Sequence, residues 1–186
     1  MGFSHPDTTA QGLNPLGLDD GEYYDTVRKA LDEFEIESGL AVEVAAHPRA
    51  QPGSLDPFYG GRRVLYGQGA EAIAQSDVVL LMNATTAVGL CVAFNRPMIV
   101  LQSSKFLKNT VQKTTRLATI LSLPIVDLDR APHDWSIPEI SAKAYATYLH
   151  QYVKRPGTPE SLFWEVVATT IENRLCRSAG SGRWPE

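Results

Sequence analysis

Five short apolar runs punctuate the chain, separated by stretches whose apolar residues recur with helical spacing. The runs are Ala41 to Ala46, Arg63 to Tyr66, Val78 to Met82, Met98 to Leu101 and Ile125 to Leu128. Each reads as a strand, and the continuous ones as strands buried on both faces of a parallel sheet. Between and around them the pattern predicts helices. Glu22 to Glu37 carries Tyr23, Val27, Ala30, Leu31 and Phe34 on one face, and acids and bases on the other. Gly39 is placed to end it. Gly69 to Gln75, Ala87 to Phe94, Ser104 to Leu121, Pro138 to Tyr152 and Pro159 to Cys176 complete the set. Strands alternating with helices predict an α/β fold. The expectation is a single Rossmann-like lobe, a parallel sheet of about five strands with helices on both faces.

The most informative stretch is Ser76 to Leu101, SDVVLLMNATTAVGLCVAFNRPMIVL. It reads as strand, polar loop, helix, strand. Asn95 can close the helix and Pro97 forbids extending it. The loop Asn83 to Thr86 therefore lies at the carboxyl end of a strand, where ligands sit in open α/β sheets. Free amides at the start of the next helix favour an anion there. The hydroxyls of Thr85 and Thr86 either cap that helix or bind the anion.

Charge sharpens this picture. The chain of 186 residues has a formal net charge of −4, which argues against a nucleic-acid partner. Yet no acidic residue occurs between Asp77 and Asp127, while Arg96, Lys105, Lys108, Lys113 and Arg116 do. That asymmetry is either a solvated basic helix or a field suited to a phosphorylated ligand. The hydrophobic content of 44% marks a globular chain, and no run is long enough to span a bilayer. Residues 1–21 read as an irregular lead-in, 22–176 as the lobe and 177–186 as a tail. The cysteines, Cys91 and Cys176, have neither metal-ligand spacing nor a disulfide pattern. With no signal peptide in view, the setting reads as reducing and cytoplasmic.

His47-Pro48 ends the first strand, and proline holds His47 extended, aiming its ring off the strand end. Such a histidine can donate to a phosphate or ribose, or neutralise a leaving group. Arg49 lies two residues on. Asp19-Asp20-Gly21 and Glu71 suit helix starts. Tyr145, Tyr148 and Tyr152, like Phe163 and Trp164, read as packing residues. No dinucleotide fingerprint, P-loop or serine nucleophile elbow occurs.

In order, these residues resemble the C-terminal half of GT-B-type proteins of bacterial surface polysaccharide assembly. The resemblance rests on His5-Pro6-Asp7, Tyr23-Tyr24, AAHPR at Ala45 to Arg49, and GRRVLYG at Gly61 to Gly67. It continues through the strand, Thr, helix and RPMIV unit to YVKRPGTPESLFWEVV at Tyr152 to Val167. A narrower resemblance is to bacterial sialyltransferases, which carry an acidic pair with Gly, then His-Pro, then a Ser-Ser/Thr motif. Asp19-Asp20-Gly21, His47-Pro48 and Thr85-Thr86 stand in that order, with Thr where Ser is usual.

The resemblance implies a nucleotide-sugar-binding lobe of a glycosyltransferase, acting by a metal-independent route and needing no cofactor. Its donor would be UDP- or CMP-linked and its acceptor a glycan. His47, Pro48, Thr85 and Thr86 would hold the phosphates, with Arg49 or Lys105 offsetting leaving-group charge. Asp20 would serve as base under the sialyltransferase likeness, with His47 as its catalytic companion. A UDP-N-acetylglucosamine 2-epimerase-like enzyme and a non-catalytic α/β interaction module are the alternatives. GT-B enzymes work between two lobes, so the expectation includes a second lobe from elsewhere in the protein or from another copy. An enzyme of surface glycans would act in the cytoplasm, at the inner face of the membrane.

Overall fold

The computed structural model describes residues 20–47, 50–154 and 157, with Asp20 described by its backbone alone. The chain divides after Val153, and every element below lies before that division. The order is α1 (Asp20–Ser38), β1 (Val44–Ala45), β2 (Val64–Leu65), α2 (Gly69–Gln75), β3 (Val79–Leu81) and α3 (Ala87–Ala93). Then follow β4 (Met98–Gln102), α4 (Lys108–Leu121), β5 (Ile125–Asp127) and α5 (Ala142–Tyr148). A 3-10 turn, Asp56–Phe58, precedes β2, and a π turn, Leu149–Val153, follows α5.

The fold is α/β with parallel strands in two small open sheets. β1 pairs with β2, with Val44 opposite Val64. β4 lies between β3 and β5, with Leu80 opposite Ile99 and Leu101 opposite Val126. The five expected strands all occur, but they do not form one continuous sheet, and most are shorter than the apolar runs. The shortening has a local cause at β1. The amide of Val42 donates to the Glu35 carboxylate at 2.7 Å rather than to a ladder partner.

Helices cover both faces. Ile99 and Leu101 of β4 pack with Tyr23, Val27, Leu31 and Phe34 of α1. Met98 packs the other way, with Val88 and Cys91 of α3 and Leu117 and Leu121 of α4. Met98, Ile99, Val100 and Leu101 are all buried, as a central strand between two helical layers requires. Truncating one of them, Ile99→Ala for instance, would cost roughly 2–5 kcal/mol.

Most helix ends follow the sequence. Gly39 takes a positive φ of 71° and its amide donates to the Glu35 carbonyl at 3.0 Å, ending α1. Asn95, at φ 53°, ends α3 in the same conformation, with the Arg96 amide reaching back to Cys91 at 2.8 Å. Two starts come late. α4 begins at Lys108 rather than Ser104, because Asp129 holds Ser103 and Ser104 in a turn and Phe106 is drawn into the core. α5 begins at Ala142, where Ser141 Oγ accepts from the Ala144 amide at 3.4 Å. The expected helix Pro159 to Cys176 and the tail lie outside the described residues.

Candidate functional site

α1 acts as a ruler along the strands. Near its amino end, Tyr23 Oη donates to Met82 Sδ at 3.7 Å, just past the carboxyl end of β3. Near its carboxyl end, Glu35 holds the amide of Val42, ahead of β1. The segment that follows β1 returns to the amino end of α1, where Phe58 stacks on Tyr24 and its carbonyl accepts from Arg28 at 3.0 Å, so β1 and β3 both run toward that end. The twelve residues from Tyr23 to Glu35 cover about 18 Å of helix. The five residues from Val42 to His47 cover ~16 Å of extended chain, which carries His47 to the level of Met82. Ala45 and Met82 also line one cavity. His47 and the Asn83–Thr86 loop thus leave their strands at the same edge, on either side of that cavity.

The Lys105 loop reaches the same edge. It follows β4, and Lys105 Nζ pairs with Glu22 in the first turn of α1. The loop is fixed by Asp129, which follows β5. Ser103 Oγ donates to one Asp129 oxygen at 2.8 Å and the Ser104 amide to the other at 2.5 Å. The Lys105 amide donates to Ser103 Oγ at 3.2 Å. These bonds to the charged form, led by those from Ser104, hold the Asp129 carboxyl below its ordinary range. Glu22 raises the Lys105 ammonium above its ordinary range.

The two threonines divide the roles left open by the sequence. Thr85 Oγ1 accepts from the Ala87 amide at 3.3 Å and supports the start of α3. Thr86 occupies the cap position but its side chain makes no cap bond, and the residue is exposed. α3 is only seven residues long, so its dipole adds little. His47 is half-buried, and its carbonyl accepts from the Ala50 amide at 2.8 Å. Pro48 and Arg49 lie outside the described residues, as do the side chain of Asp20 and the His5-Pro6-Asp7 segment. Asp20 opens α1.

The basic segment is less free of acid in space than in sequence, since Glu22 and Asp129 fold back onto it. Arg96 is turned away from this edge and donates to the Ala74 carbonyl. Lys108, Lys113 and Arg116 are exposed along α4, as a solvated face would have them. Cys91 is fully buried, and burial pushes its thiol up to about 12, so it packs rather than reacts. Tyr145 is buried and donates to the Arg96 carbonyl at 2.8 Å, a packing role as expected.

Ser103, Ser104, Asp129 and Glu22 were not singled out in the sequence. The signal for the first three was present: each is a polar residue within a few positions of a buried strand's carboxyl end. Glu22 was hidden, because its partner lies 83 residues away. Together the edge carries the Thr86 hydroxyl, an imidazole and an ammonium, donors suited to an anion. Among the described residues, no cluster of His, Cys, Asp and Glu is arranged to hold a metal ion, and no helix is long and apolar enough to cross a membrane. Set against protein-family models, curated proteins and solved structures, the chain matches none.

Proposed function

We propose that this chain is the nucleotide-sugar-binding lobe of a metal-independent glycosyltransferase acting in surface polysaccharide assembly. What supports the reading is that the loops after β3 and β4 leave the carboxyl end of one parallel sheet, with Lys105 of the second loop tied to the first turn of α1. In this reading His47, at the end of β1, joins Thr86 and Lys105 there.

In this reading the Thr86 hydroxyl and the His47 imidazole hold the phosphates of the donor. As the glycosidic bond to the phosphate breaks, negative charge grows on the leaving nucleotide. Lys105 stabilises that charge, swinging from Glu22 toward the phosphate. Arg49 is the second cation the reading assigns to that charge. The acceptor hydroxyl must lose a proton, and Asp20 supplies the carboxylate on this chain, beside whatever base a second lobe brings.

The test is a thermal-shift panel of UDP, CMP, GDP and their sugars on the purified chain. One base is expected to raise the melting temperature progressively, since a ligand at a hundredfold excess over its Kd stabilises by about 2.7 kcal/mol. A panel without any shift would overturn the proposal.

A further inference from the structure

A cavity of about 450 Å³ is lined by both β1 and β3 along their lengths. Val27, Leu31 and Phe34 of α1 close one face, and Ala72 and Ile73 of α2 contribute to its wall. Both strands are paired on their far sides only. In β1, the amides of Val44 and Ala46 donate to Arg63 and Leu65, each at 2.9 Å. In β3, the amide of Val79 donates to Pro97 at 2.9 Å. Backbone groups alternate sides along a strand. Glu43 and Ala45 therefore turn their N–H and C=O groups toward the cavity from one side, and Val78 and Leu80 from the other. No backbone hydrogen bond joins β1 to β3 among the described residues.

A cavity walled by apolar side chains and bounded by two unpaired strand edges matches one kind of occupant. We propose that it receives an extended peptide strand, which pairs its backbone with both edges and joins the two sheets. Charge sets the occupant's polarity. The charged side chains on the wall are Glu43 and Asp77, both acidic and both at the amino ends of the strands. Arg63 pairs with Glu43 at 2.8 Å, while Asp77 is exposed. The peptide is a β-branched strand with apolar residues at alternate positions, and it carries a basic residue at the end that meets Asp77. The cavity extends along the strands below the strand-end loops, and the proposal does not rest on the glycosyltransferase reading.

The test uses the full isotopically labelled chain and two synthetic peptides, acetyl-Lys-Val-Thr-Val-Thr-Val-amide and its reverse, acetyl-Val-Thr-Val-Thr-Val-Lys-amide. Amide hydrogen exchange is followed residue by residue. In the free chain, the amides of Glu43, Ala45, Val78 and Leu80 exchange faster than those of Val44, Val79 and Leu81. One peptide slows all four. Methylating its alternate amide nitrogens weakens binding by about tenfold or more, because those bonds are lost. Glu in place of its Lys weakens binding as well. Four amides already protected in the free chain would overturn the proposal, because the sheets would then be joined directly. Fast amides that neither peptide slows would overturn it too. An N-methylated peptide binding as tightly as its parent would show a site that takes apolar volume, not a strand.

Discussion

Lys105 and Glu22 form an ion pair that ties the loop after β4 to the first turn of α1. The pair is partly exposed, so its own contribution to stability is small. Its importance is in where it leaves the ammonium: after the carboxyl end of β4, held by Glu22 and within the field of Asp129. Under the proposed function, a phosphate arriving there would compete with Glu22.

Two substitutions separate these effects. Lys105→Ala is expected to weaken binding of the nucleotide selected by the panel about tenfold, a charge-assisted bond being worth roughly 1.5–3 kcal/mol. Glu22→Gln releases the ammonium and is expected to tighten binding by no more than about fivefold, the ceiling for an exposed pair. Titration calorimetry at low and high salt measures both. An Lys105→Ala variant with the parent's affinity would remove Lys105 from the site.

Asp129 makes the edge sensitive to acid. Its carboxyl is held below the ordinary value by the Ser104 and Ser103 bonds, so its folded-state pKa is lower than its unfolded one. The stabilisation is therefore complete above the unfolded value of about 3.9 and fades as pH falls through the folded value. Asp129→Asn is expected to flatten the loss of stability in that acidic window. The check is denaturant unfolding of both proteins from neutral pH downward. Parallel curves at every pH would contradict the assignment.

Thr85 and Thr86 are neighbours with different work, and the difference is measurable. Thr85→Ala removes the bond to the Ala87 amide and is expected to cost about 1 kcal/mol of stability, read from the denaturation midpoint. Thr86→Ala removes an exposed hydroxyl without a cap bond and is expected to leave the midpoint unchanged. Equal losses in the two variants would mean that both only cap.

Cys91 gives a test of the core between α3, α4 and β4. It is fully buried and its thiol is raised to about 12. It is expected to resist alkylation at mildly alkaline pH until the chain unfolds. Peptide mapping by mass spectrometry with increasing denaturant follows it directly.

Much of the fold was legible because periodicity reports burial. The buried face of α1, the four buried residues of β4 and the ends at Gly39 and Asn95 all follow from local pattern and local conformation. What pattern did not reveal was pairing. Nothing in Ala41 to Ala46 or Val78 to Met82 says that their edges face a cavity instead of each other, because the hydrogen-bonding side of a strand leaves no mark on its side chains. His47 and Thr86 were legible as strand-end residues because each follows an apolar run. The candidate site was not legible where two distant carboxylates, Glu22 and Asp129, settle onto a segment that is free of acids in sequence.

The central claim is that the edge carrying His47 and Thr86 binds the phosphates of a nucleotide. Titration calorimetry of the preferred nucleotide against the parent chain, His47→Ala and Thr86→Ala tests it most directly. The account predicts that each variant keeps its melting temperature and loses about tenfold or more in affinity. Parent-like affinity in both variants would contradict it.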